Sequence, residues 1–101
     1  MRKHRVPRAS DLPALAAFAR GYLHEDVIAE YGNAVDAAAA FAEDASAEER
    51  RQLAADLERL AQALDGKPAL QLAHYFNEEL RAAWTPASAA DIRSLIAALE
   101  I

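Results

Sequence analysis

Cysteine is absent from the chain. That removes disulfides and thiolate metal sites at once, and it agrees with a reducing compartment. Glycine and proline are scarce, at three and four residues, too few for an all-β chain that turns about every 8–12 residues. The glycines also stand singly, so neither GxxxxGK[ST] nor GxGxxG occurs and a phosphate loop is excluded. Aromatic residues are only 7% while hydrophobic residues reach 53%, with alanine supplying much of the rest. Such a core needs helices that approach closely rather than large rings. No segment nears the roughly 18 consecutive apolar residues of a membrane span. Serine occurs at positions 10, 46, 88 and 94 alone, and the first three are better used as helix caps, so a nucleophile for catalysis is lacking. No enzyme activity and no cofactor are expected.

At 101 residues the chain is long enough for one core, with a radius of gyration of about 13 Å. Net charge is −5, unevenly spread. Arg2, Lys3, Arg5 and Arg8 open the chain, and from residue 9 onward seven basic residues face sixteen acids, a balance of −9. A field of that sign repels phosphate backbones and favours a basic partner. The basic "RKHRVPR" tail is by itself too weak a signal to make nucleic acid the expected ligand. The opening "MRKHRVPRASDLPALAAFARG" imitates a secretory signal, but Asp11 interrupts its apolar run and Arg20 closes it, so it reads as an arm followed by an amphipathic helix. The expected location is the cytoplasm, with no membrane contact.

Along the chain, residues 1–9 read as a basic flexible arm and 10–101 as a helical domain. Ser10 or Asp11 is expected to cap a helix carrying Pro13 in its first turn, with Leu12, Leu15, Ala16, Ala19, Tyr22 and Leu23 on one face. A short turn from Asp26 stops at Gly32. Asn33 and Asp36 then resemble a capping box that opens a helix with Val35, Ala38, Ala39 and Ala42 inward. Ser46 and Glu49 form a stronger box before Leu53, Leu57, Leu60 and Leu64, which step by 4, 3 and 4 to a stop at Gly66 and Pro68. A fourth helix with Leu72, Phe76 and Leu80 is expected to run to Trp84. Ser88 and Asp91 open a last one with Ile92, Leu95, Ile96 and Leu99 on its face. The fold class is therefore all-α, a small antiparallel bundle of about five helices in a single domain.

The stretch "GYLHEDVIAEYGN", Gly21 to Asn33, concentrates tyrosine, histidine and carboxylates between apolar runs. A metal site would draw on His24, Glu25 and Asp26, with His74 and Glu78 one turn apart on the fourth helix. Three adjacent residues cannot point one way on a helix, and the Glu-x-x-His pair of di-iron bundles does not occur, so no metal is expected. The simpler reading is a polar hinge: apolar bodies from Tyr22, Leu23, Val27, Ile28 and Tyr31, with His24 and Asp26 serving free backbone groups where helices meet.

The same residues carry a family resemblance. "YLHEDVIAEYGNAVDAAAAFAED" followed by "SAEERRQLAADLERLAQAL" resembles the small α-helical immunity proteins of bacterial contact-dependent growth inhibition systems. In that family an aromatic-aromatic-His-Gln-Asp-Trp element precedes a helix ending in Phe-Leu, a short acidic link and a Leu-rich helix. Tyr22, Leu23, His24 and Asp26 match or nearly match the element, and Phe41 corresponds to the Phe. Glu25 replaces Gln and Val27 replaces Trp. The resemblance covers roughly residues 12–65 and fades into "HYF" and "AAW" beyond. It implies a cytoplasmic protein that binds the C-terminal domain of a cognate toxin one to one and neutralises it. A nuclease toxin, with its basic groove, suits the acidic body. The expected contact residues are Glu25, Glu30, Tyr31, Asp36, Glu43 and Asp44, with Tyr22, His24 and Asp26 as the structural motif. The reading set against it is a small helical adaptor or regulator, dimeric through an apolar face, whose basic arm touches nucleic acid.

Overall fold

The computed structural model describes residues 6–24 and 29–100. A 3-10 turn at Ala9–Asp11 leads into α1 (Pro13–Tyr22), and 29–31 form one helical turn. Then come α2 (Ala34–Asp44), α3 (Ala47–Leu64), α4 (Ala69–His74) with a π-helical turn at Tyr75–Glu79, and α5 (Ala89–Leu99). No strand occurs among the described residues. The radius of gyration is 12.7 Å. The all-α class and the helical bundle read from the sequence are what the structure shows.

The leucine ladder of α3 is the spine. Leu53, Leu57, Leu60 and Leu64 are all buried, joined by Ala61. They meet Leu15 and Phe18 of α1, Leu72 and Phe76 of α4 and the turn after it, and Ile92 and Leu95 of α5 in one core. The most extensive packing is of α5 on α3, then of α5 on α2 and of α1 on α3. Only two residues, Ala45 and Ser46, join α2 to α3, yet these helices share no extended contact. Both linking residues are extended, with ψ of 151° and 165°, so the chain leaves α2 in a new direction and each helix finds α1 and α5 instead.

Capping differs from the expectation at three helices. Leu12, not Ser10 or Asp11, is the N-cap of α1, and it offers no side-chain acceptor. The cause is Pro13, which excludes the residue before it from helical geometry and leaves Leu12 at φ −128°, ψ 65°. The acceptor comes from another helix: the Asp56 carboxylate on α3 takes the Leu15 N–H at 3.1 Å. At α5, Ser88 makes no side-chain cap bond, while Asp91 reaches back to the Ala87 N–H at 2.9 Å. The Ser46 start forms as read, whereas the Asn33 start makes only half of the expected box, with no reciprocal bond from Asp36 to the Asn33 N–H. Asn33 accepts the Asp36 N–H at 2.8 Å, and Ser46 and Glu49 make a reciprocal box at 3.1 and 2.8 Å.

Two faces also turn out differently. Ala34, Ala37, Ala38 and Ala42 are the buried positions of α2, and Val35, expected inward, is 41% exposed. A helix that buries only methyl groups lies close to its neighbours, which is how a core poor in aromatics stays dense. The helix expected to reach Trp84 stops near Leu80. Leu72, Phe76 and Leu80 repeat every four residues, which overshoots the 3.6-residue turn. The wide turn at Tyr75–Glu79 corrects the drift, and all three stay buried. Arg81 then adopts φ 57°, Ala82 donates to the Phe76 carbonyl at 2.8 Å, and the chain crosses to α1, where the Ala83 N–H meets the Leu23 carbonyl at 2.8 Å.

Of the arm expected over residues 1–9, residues 1–5 lie outside the described residues. Pro7 is buried and Val6 packs on the core. The Tyr75 hydroxyl donates to the Pro7 carbonyl at 2.6 Å, and the Ala9 N–H to Glu79 Oε2 at 2.7 Å.

Candidate partner-binding face

Tyr22 and Tyr31, at either end of the polar stretch, are brought together in an aromatic cluster. Tyr22 stacks on Phe18 one helical turn earlier, with centroids 5.4 Å apart and planes 12° apart, and on Tyr31 at 6.3 Å and 17°. Phe41 of α2 stands edge-on to both Phe18 and Tyr22 at 5.5 Å. Leu23, fully buried beside them, and its carbonyl bond to Ala83 anchor the end of α1. His24 is exposed. Glu25 and Asp26 lie outside the described residues, as do Val27 and Ile28.

The acids run from beside this cluster along α2. Glu30 is exposed beside Tyr31, while Asp36, Glu43 and Asp44 are exposed along α2. Asp36 and Asp44 are about 12 Å apart along the helix axis, so the acids occupy both ends of α2. Asp44 is near enough to Tyr22 to act on it: burial raises the phenol pKa, and Tyr31 and Asp44 raise it further. Thus Tyr22, Tyr31 and Asp44 form one group, and Asp36 lies at the far end.

Asp36 suits its place, since a carboxylate in the first turn faces the positive end of the helix dipole. Glu43 and Asp44 are in the last turn, where the dipole opposes them. Arg50, unmarked in the sequence, reaches the Ala42 and Ala45 carbonyls with its guanidinium at 3.3 and 3.0 Å and closes that end of α2. Nothing in the spacing marks it, because the contact spans two helices.

Between α1 and α3 the aromatic cluster floors a groove of about 260 Å³, walled by Ala14 and Ala17 and edged by Glu49 and Gln52. In the sequence Phe41 stands out only through family correspondence, and Phe18 lies outside the apolar face expected for α1. An i, i+4 pair of Phe18 and Tyr22 was the available signal. Away from this face, His74 and Glu78 border a smaller recess of about 180 Å³ with Val6 and Tyr75. Among the described residues no three metal-capable side chains gather, and no helix is long and apolar enough to cross a membrane.

A small all-helical domain with exposed acids along α2 and an aromatic cluster beside one end of it is suited to holding another protein. The family model of the CdiI immunity protein matches residues 11–99, and the chain belongs to that family, the immunity proteins of contact-dependent growth inhibition. The match continues well past residue 65, where the resemblance read from the sequence fades. The fold is also similar to that in the crystal structure of the CdiA-CT/CdiI complex from Y. kristensenii 33638, with a TM-score of 0.72 at 22% identity, covering 88% of this chain and 98% of that one. No curated protein matches the chain by sequence.

Proposed function

We propose that this immunity protein acts in the cytoplasm by binding the C-terminal domain of one cognate toxin in a one-to-one complex and covering its substrate groove, with no catalysis of its own. The toxin class that fits is a nuclease, whose groove is basic. The observation that carries this reading is the exposed acidic set at Glu30, Asp36, Glu43 and Asp44 on a member of the immunity family. The fold neighbour is itself from a CdiA-CT/CdiI complex. Glu25, at the start of the same stretch, belongs to the proposed contact set, and Tyr31 is its aromatic member. Tyr22, His24 and Asp26 are the proposed structural motif of the joint.

Exchanging Glu30, Asp36 and Glu43 for Lys tests the reading. With helicity retained by circular dichroism, association with the toxin domain is expected to slow and cell protection to fall. The wild-type on-rate should drop steeply with salt, as exposed charges are screened beyond about 10 Å at 0.1 M. Binding unchanged by both the substitutions and salt would put the contact on another face.

A further inference from the structure

We propose that the groove floored by Phe18, Tyr22 and Phe41 seats one arginine side chain of the toxin domain. The inference deepens the proposed toxin binding and rests on it for the identity of the partner. Two nearly parallel rings and a third at right angles line the recess. Phe18 is buried, and the half-buried Tyr22 and Phe41 present the aromatic surface whose π density attracts a cation. The walls are the methyl groups of Ala14 and Ala17, which suit an alkyl stem.

The charged side chain lining the groove is Glu49. Its Oε1 takes the Ser46 N–H at 2.8 Å, which holds the carboxylate in place, and a carboxylate retains capacity for a further donor. The groove shares Ala14 and Gln52 with a second recess that ends at Asp56, and neither recess is lined by a lysine or arginine. An apolar anchor would need no anionic edge. A lysine would place a compact, strongly hydrated charge among rings. The planar, weakly hydrated guanidinium fits both the rings and the carboxylate. About 260 Å³ holds such a side chain.

Two experiments test the proposal separately from the toxin assignment. In the first, N-acetyl-arginine amide and its neutral citrulline counterpart are titrated into the whole protein while ring resonances of Phe18, Tyr22 and Phe41 are followed by NMR. Arginine should shift them saturably and the citrulline compound at least about tenfold more weakly. Equal responses, or none, would overturn the proposal. In the second, Ala17→Trp plugs the groove from an exposed helical position, with Ala17→Leu as a smaller plug should the first not fold. Affinity for the toxin domain should fall about tenfold or more at unchanged helicity, while Leu70→Ala, outside the groove, leaves it intact. Full affinity with a plugged groove would also overturn it. If the wild-type protein does not bind the toxin domain, the proposed function fails, and the arginine titration still decides the groove.

Discussion

Tyr75 joins the first described residues to the wide turn after α4 through one bond, its hydroxyl on the Pro7 carbonyl. Burial pushes its pKa from 10.0 up to about 12, with Glu79 and Asp11 adding to the shift. The neutral phenol is therefore favoured by folding. Its contribution is complete below pH 10 and is lost as pH rises through 10 to 12. In Tyr75→Phe that alkaline loss should be smaller, and protection of the Ala9 amide against hydrogen exchange should fall. Melting curves across alkaline pH and exchange rates check both. Among the described residues Arg81 is the non-glycine residue with a left-handed φ, at 57°, a conformation costing roughly 1–2 kcal/mol. Arg81→Gly should relieve part of this, raising stability by up to about 1 kcal/mol in urea unfolding. Leu57 is fully buried in the spine of α3, and Leu57→Ala should cost about 2–5 kcal/mol in the same measurement.

Two carboxylates end α2 where the helix dipole disfavours them, and Arg50 answers the free carbonyls there. A surface designed for stability alone would carry a cation at such a position. Asp44→Lys should therefore stabilise the fold by about 0.3–1 kcal/mol at low salt. If the acid serves the partner, the same substitution should slow toxin association. Denaturant unfolding and binding kinetics on one variant separate the two effects. A slower on-rate together with a stabler fold identifies a functional acid, whereas stabilisation without a kinetic change identifies a bystander.

Among the described residues the acid excess is arranged so that few acids are tied to cations. The inter-helix pair among the described residues joins Glu58 of α3 to Arg93 of α5, at 3.1 and 3.4 Å. The hydrogen bond from Arg93, then that from Gln62, holds the Glu58 pKa below its usual 4.5. Its contribution is present above pH 4.5 and is lost as pH falls through the lowered folded value. Both partners are well exposed, so the effect is small. Glu58→Gln should slightly flatten the acid limb of a stability profile and leave stability near neutral pH almost unchanged. Steep salt dependence should therefore appear in partner association rather than in folding.

Local rules determine much of this protein because each acts within a few residues. The α3 leucines every three or four positions follow from the 3.6-residue period, and the Ser46–Glu49 box and the stop at Gly66 sit at the two ends of the same helix, so all are written directly into the order of residues. The acid excess is equally visible, since charge needs no geometry to be counted. Tertiary structure decides wherever a group is answered from another element. The cap of α1 comes from Asp56, forty-one positions away, and Arg50 closes the end of a helix that precedes its own. The α4 helix breaks because burying Leu72, Phe76 and Leu80 together outweighs continuing a regular turn. Val35 faces outward because α5 takes the alanine side of α2. The aromatic groove exists only once α1 and α2 set Phe18, Tyr22 and Phe41 edge against face. Neither spacing nor composition encodes that angle: it follows from how closely alanine-lined helices can approach.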